Sequence, residues 1–299
     1  MDNVTQLPTA TEDLHASSGS EGHLERLTQL CVDDLISAFG LGGTSHGRTV
    51  MESISRIPAR RLARQILTYD TIVGESGLGT GGAWALKRLS RNTSIEGQEN
   101  VPRGGPLLLV SNHPGLADAV ALFAAIPRND LRVIAADRPF LEALPNTSRY
   151  LLTVAETSAG RSGVVRAAAR HLRGGGAVLT FPGGRIEPDP AVLPGAVEAL
   201  DRWSSSADLF ARLIPGLEVV PVVVSGVISP SALRNPLTHL RRHRRDREWL
   251  AATLQVLVPA LRNVDARVEF GSPIHAEPGA VGDAVIEQTR RLMENRETA

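Results

Sequence analysis

The chain has one cysteine, one lysine and no surplus of either charge. A solitary Cys31 excludes a disulfide framework and a cysteine-based metal site. It lies in an amphipathic stretch, Leu24 to Phe39, and reads as a small core residue. With Lys87 the only lysine, positive charge is carried almost wholly by arginine, the side chain that grips phosphate with two parallel donors where a site is built for it. The 32 basic and 32 acidic side chains cancel, so no global field draws the chain to nucleic acid or to an anionic membrane. No apolar run approaches the ~18 residues that a membrane span needs. There is no G-x-S-x-G elbow to carry a nucleophilic serine. His171, His239, His243 and His275 have no carboxylate or cysteine at ligand spacing, so no metal site is expected, and no cofactor is expected either. Residues 1–22 are polar and acidic, without the basic start and apolar core of a signal peptide. They read as a disordered tail, and the expected location is the cytoplasm, with peripheral attachment to the inner membrane face left to local charge clusters.

What remains is an ordinary globular composition, 42% hydrophobic and 21% charged over 299 residues, enough for one large domain with a smaller one beside it. From His23 to Leu41 apolar residues recur at helical spacing (Leu24, Leu27, Leu30, Cys31, Leu35, Ile36) and stop at Gly40, Gly42 and Gly43. A second helical pattern runs from Val50 to Tyr69, with Arg56, Arg60, Arg61 and Arg64 along a basic face. Residues 74–82, GESGLGTGG, look like a breaker before a short helix about Trp84. Gly77, Gly79 and Gly82 partly echo a dinucleotide loop. With no convincing strand before them and no acidic residue at the required spacing after them, they read as linker. Residues 23–92 thus form a helical region, ahead of a larger domain at 93–299.

From Pro106 apolar strand-like runs alternate with helical ones. The runs are LLLVS (107–111), RVIAA (132–136), AVLTF (177–181), VVPVVVSG (219–226) and RVEFG (267–271). Helices are expected at 116–126, 163–172, 191–211, 230–260 and 279–294, and a loop region after 136. This order predicts an α/β fold, a layered and largely parallel sheet flanked by helices. The unbroken apolar strands suit a sheet covered on both faces.

Val110-Ser-Asn-His-Pro-Gly-Leu-Ala-Asp118 is the most informative segment. A buried strand stops at Asn112-His113, Pro114-Gly115 turns, and a helix begins. His113 therefore stands at the carboxyl end of a strand, where open α/β sheets place their ligands. On one continuous helix, residues five apart would diverge by roughly 140°. The turn lifts His113 off the helix and lets Asp118 swing under its ring. An aspartate on one ring nitrogen fixes the tautomer and leaves the other as a base. A helix-capping histidine and a solvated first-turn acid would give the same spacing.

Three further segments narrow the choice: ETSAGRSG with Arg161, FPGGRIEP (181–188) with Gly184, Arg185 and Glu187, and VVPVVVSG broken by Pro221. Together with GPLLLVSNHPGLAD they make the chain, from Ile95 to about Ile274, resemble the glycerolipid acyltransferase family, best known from the 1-acylglycerol-3-phosphate acyltransferases. Sequences of that family carry NH-x-x-x-x-D, an arginine-bearing block, a strand ending FPEGTRS and a strand with a central proline. The resemblance implies that His113 is the general base and Asp118 its orienting carboxylate. A fatty acyl group would pass directly from acyl-CoA or acyl carrier protein to a hydroxyl of a lysophospholipid such as lysophosphatidate. Arg161, Gly184, Arg185 and Glu187 would face the acceptor. The third block departs from the family, with Gly183 where the motif has glutamate and Ile186 where it has arginine; Arg185 and Glu187 are the charges near enough to substitute. A lipid-binding protein of the same fold without catalysis, and an acyl-thioester hydrolase in which His113 activates water, remain alternatives.

Arg241, Arg242, Arg244, Arg245 and Arg247 form a basic cluster that fits either a solvated, partly paired face or contact with anionic lipid. Basic residues beside an anionic leaflet contribute roughly 1 kcal/mol each, and salt screens them. Membrane attachment is accordingly expected to be peripheral: a high-salt wash should release the protein from a membrane pellet. Retention until detergent is added would contradict this.

Overall fold

The computed structural model describes residues 10–41, 45–115, 117–154, 157–275 and 279–294. The elements, in order, are α1 (Ala10–Phe39), α2 (Ser45–Leu89), β1 (Asn92–Glu96), β2 (Leu107–Ser111), α3 (Asp118–Ala125), β3 (Leu131–Ala136), α4 (Pro139–Glu142), α5 (Pro145–Ser148) and β4 (Leu151–Val154). They continue with α6 (Ser158–Arg173), β5 (Ala177–Thr180), α7 (Ala196–Ala199), α8 (Ser206–Leu213), β6 (Glu218–Ser225), α9 (Pro230–Leu233), α10 (Arg244–Leu257), β7 (Asp265–Phe270), β8 (Ile274–His275) and α11 (Val281–Glu294). The chain divides into two compact units, Met1–Thr68 and Tyr69–Ala299.

In the first unit α1 and the start of α2 pair antiparallel. Glu25 meets Arg56, Glu21 meets Arg60, and Asp33 meets Arg48 at 3.2 Å. Arg56 and Arg60 are therefore ion-paired, and Arg61 and Arg64 are the exposed remainder of the expected basic face. Between the helices Leu27, Cys31, Val32, Leu35 and Ile36 are buried with Ala59 and Ala63. Burial, with Asp34 nearby, pushes the Cys31 thiol up to about 12, which makes it an inert core residue. Helix α1 starts at Ala10, inside the stretch expected to be a disordered tail; residues 1–9 of that stretch lie outside the described residues.

In the second unit the sheet runs β1-β7-β6-β2-β5-β3-β4, with β8 added beside β6. Strands β2 to β6 are mutually parallel, while β7 runs antiparallel to β6 and carries β1 parallel to itself. Alternate residues of β2 serve opposite cores. Leu107 and Leu109 join Val220, Val222 and Val224 under α3 and the end of α2, while Leu108 and Val110 join Val178 and Val219 under α6, α8 and α11. That is the covered parallel sheet its apolar strands require. Pro221 fits in this interior because it falls between the residues paired to β8 and those paired to β7. Its carbonyl accepts from Gly271 N–H at 2.8 Å on that side. The nitrogen of a strand residue points the same way as its carbonyl, so the missing N–H faces a gap in the ladder.

Several elements differ from the sequence reading. The region after residue 136 holds α4, α5 and β4, and the helix expected at 230–260 is broken into α9, a 3-10 segment at Pro236–Leu240, and α10. Residues 74–82 are not a linker. α2 continues through them with one break, at Gly77 (φ 84°, ψ 170°). At Gly82 the absence of a side chain is needed for contact. A Cβ on Gly82 would lie 2.7 Å from Phe123 Cβ and 2.8 Å from both Ala124 N and Val120 O of α3. Asp70, also on α2 and buried, accepts from the backbone and side chains of Asn146 and Thr147, tying the same helix to α5.

Two glycine substitutions test this packing. Gly82→Ala gains about 1 kcal/mol of helix propensity but meets backbone that cannot yield, an overpacking cost of roughly 1–3 kcal/mol; the melting temperature should fall. Gly22→Ala on α1 meets nothing within 4 Å and should stabilise by about 0.4–1 kcal/mol. Thermal denaturation of both variants decides; a Gly82→Ala protein that melts no lower than wild type would refute the close approach.

Candidate functional site

The ladder of β2 ends at Ser111, which pairs with Val222. Asn112 extends the contact with its side chain, donating to Val224 O at 2.9 Å and accepting from Val224 N–H at 2.8 Å. The amide is buried, and both its polar ends are satisfied, as burial demands. It fixes where the chain leaves the sheet.

Beyond it, Gly115 (φ 123°) adopts a left-handed backbone that disfavours other residues and closes the turn into α3. Asp118, the first residue of α3, is 0% exposed. Its Oδ2 lies 2.6 Å from His113 Nδ1 and accepts from Gly115 N–H at 2.9 Å; its Oδ1 accepts from Ala119 N–H. With Nδ1 held as the donor, Nε2 carries the lone pair, and no described residue bonds to it. The imidazole lies against Phe181, ring centroids 4.7 Å apart, and is 31% exposed. Burial works against a charged ring here. Asp118, by charge and hydrogen bond, together with the charge of Glu187, outweighs it and holds the His113 pKa above the ordinary imidazole value. A second pair, His275 Nδ1 to Glu218 Oε1 at 2.5 Å, joins β8 to β6, but that histidine is 79% exposed and belongs to the surface.

The segment after β5 brings the remaining charges to the same edge. Gly184 (φ 62°) donates to Phe181 O at 3.0 Å and makes the turn at its tip. Arg185 is exposed, with no ion pair among the described residues. Glu187 turns inward. Its N–H donates to His113 O at 2.8 Å, its Oε2 accepts from His113 N–H at 3.0 Å, and its Oε1 accepts from Trp203 Nε1–H at 2.7 Å. Burial raises the Glu187 pKa against the opposing pull of these donors and of His113 and Arg202. Ile186, 47% exposed, lies over the turn at Gly115, 3.8 Å from the place of its absent Cβ.

Arg161 lies inside the first turn of α6, which starts at Ser158 rather than near Gly163; Thr157 Oγ1 caps that end, accepting from Gly160 N–H at 3.1 Å. β4, which precedes it, stands three strands from β2, so at ~4.8 Å per strand its end lies roughly 14 Å along the sheet edge from that of β2. The structure thus gathers His113, Asp118, Gly184, Arg185 and Glu187 at one point, and puts Arg161 on the same edge at a distance. Three contributors were not singled out from sequence. Asn112 lay inside the histidine segment, and a polar residue ending an apolar strand was the available signal. Trp203 and Asp189 gave none, since their partners are far along the chain. Asp189, also 0% exposed, accepts from Ala191, Gly226, Val227 and Ile228 N–H at 2.8–3.0 Å and joins the loop after β5 to the loop after β6. Among the described residues, no three His, Cys, Asp or Glu side chains stand together as a metal would require.

Comparison with known proteins adds to this geometry. The acyltransferase family model matches residues 92–225, a span that holds every candidate site residue named above. The crystal structure of the 1-acyl-sn-glycerophosphate (LPA) acyltransferase PlsC from Thermotoga maritima aligns with 17% identity and a TM-score of 0.44, covering 90% of this chain and 96% of that one. No curated protein matches the sequence. Over residues 92–225, a little under half of its length, the chain is thus similar to the acyltransferase family.

Proposed function

We propose that the protein transfers a fatty acyl group from acyl-CoA or acyl carrier protein to a hydroxyl of a glycerophospholipid precursor of the lysophosphatidate type, with His113 as general base. The observation that carries this reading is the His113–Asp118 pair at a strand end, 2.6 Å apart, with the carboxylate wholly buried and Nε2 unengaged. In the reaction the acceptor O–H gives its proton to Nε2 as its oxygen bonds to the thioester carbonyl carbon. The carbonyl electron pair moves to oxygen. The tetrahedral centre then collapses, the C–S bond breaks, and the departing thiolate takes the proton from the imidazolium. No acyl-enzyme and no cofactor enter this scheme.

Contact with a membrane surface is part of the proposal. Val50, Ile54 and Ile57 are 59–68% exposed and lie on one helical stripe of α2, which Arg61 and Arg64 continue. Of the cluster at 241–247, Arg241 and Arg244 pair with Asp246 and Glu248, both at 2.8 Å, and Arg242 and Arg245 stay exposed. No helix among the described residues is long and apolar enough to cross a membrane.

The assay is release of free thiol from acyl-CoA with and without lysophosphatidate. Acceptor-dependent release supports the transferase, acceptor-independent release a hydrolase, and no release a binding protein. His113→Ala should cost about 100- to 10,000-fold in rate with the fold retained; more than about a tenth of wild-type rate would remove His113 from the chemistry. Because the base must be neutral and its pKa is raised, the acid limb of kcat/KM should lie above 6.5. Asp118→Asn removes the largest charge that favours the protonated ring, so that limb should move down while kcat falls.

Arg185, exposed and with no ion pair among the described residues, is the candidate for an acceptor phosphate. Hydrogen bonds to charged groups contribute about 1.5–3 kcal/mol. Arg185→Ala should therefore raise the KM for a phosphorylated acceptor roughly 10- to 150-fold and leave the donor KM unchanged. Equal losses with a neutral acceptor would make Arg185 structural.

A further inference from the structure

Past the end of a strand, buried backbone groups lose their ladder partners and need others. His113 is in that position, and one residue serves both of its backbone groups: Glu187 donates its own N–H to His113 O at 2.8 Å and accepts His113 N–H on Oε2 at 3.0 Å. Trp203 Nε1–H holds the other carboxylate oxygen at 2.7 Å. The carboxylate is thus directed at the protein rather than outward. It can lie there because residue 183 is glycine. A Cβ at Gly183 would fall 2.4 Å from Glu187 Oε1 and 2.8 Å from its Cδ. Gly183 does not use the left-handed backbone that favours glycine, so a side chain there would leave the chain conformation alone and instead push the Glu187 carboxylate off its donors.

We propose that Glu187 is a positioning residue for acyl transfer, clamping the His113 backbone and so setting where Nε2 meets the acceptor hydroxyl, and that the small residue at Gly183 leaves the carboxylate room to do so. This rests on the reading of His113 as the base. The charged groups around the pair are Asp118 at Nδ1 of the imidazole and Arg202, which acts on Glu187. Glu187 and Asp118 both favour the protonated ring, so removing the Glu187 charge lowers the His113 pKa.

The test is a double-mutant cycle of Gly183→Ala and Glu187→Ala, with Glu187→Gln as the shape-conserving variant. Misplacing a reacting group by about 1 Å can cost on the order of 100-fold, so Glu187→Ala should lower kcat by roughly 10- to 100-fold with donor and acceptor KM little changed. Gly183→Ala should be comparably harmful in the wild-type background and nearly silent in the Glu187→Ala background, since the clash has gone. Glu187→Gln, whose single amide oxygen can keep the bond from His113 N–H while its NH2 gives up the one from Trp203 Nε1–H, should recover part of kcat while the imidazole titration of His113, followed by NMR, moves to lower pH. Additive losses, a higher acceptor KM at unchanged kcat, or a His113 titration that ignores Glu187→Gln would each overturn the assignment. The titration and a thermal-denaturation version of the cycle need no turnover. If the wild-type protein transfers no acyl group, the activity reading fails, while the clamp and the Gly183 coupling are still decided.

Discussion

A carboxylate with none of its surface in water has to be bonded on every side, and Asp118 is that carboxylate. Leaving a buried charge partly unpaired costs several kcal/mol, so its three donors are conditions of the fold. The N–H groups of Gly115 and Ala119 require the turn between β2 and α3 to close tightly. The third donor, the imidazole, is then held in one tautomer. The electrostatics of a helix start favour the arrangement as well, since unpaired amides there attract negative charge. One buried charge thereby dictates the turn, the helix start and the proton inventory of the histidine.

The rest of the edge follows the same logic of polar groups seeking partners beyond the last rung of a ladder. Asn112 ties the end of β2 to β6 through an amide, and Glu187 supplies both partners of the His113 backbone. Behind them the alternation of Leu107 to Val110 between two cores fixes the pleat. A shift of one residue would exchange the faces of the strand.

The strands and the His113–Asp118 pair were legible in the sequence because they depend on local pattern: continuous apolar runs, a Pro-Gly turn, a five-residue spacing. β1 and β4 were not legible. Asn92–Glu96 is short and mostly exposed, and Leu151–Val154 lies at the sheet edge with no residue fully buried, so neither carries the apolar signature of an inner strand. Residues 74–82 misled in the opposite sense. Glycine breaks isolated helices, yet here Gly82 is required by the backbone of α3, a neighbour that no local window contains. Glu187 was visible as a charge displaced within its block, but its inward turn depends on Trp203, sixteen residues on, and on the room left at Gly183.

Asp189 has a consequence for how the edge of the sheet moves. Amides in loops ordinarily exchange with solvent through small local fluctuations. Those of Gly226, Val227 and Ile228 are instead shut by a carboxylate with no exposed surface. Freeing them means exposing that charge, so the segment beyond β6 opens with the domain rather than ahead of it.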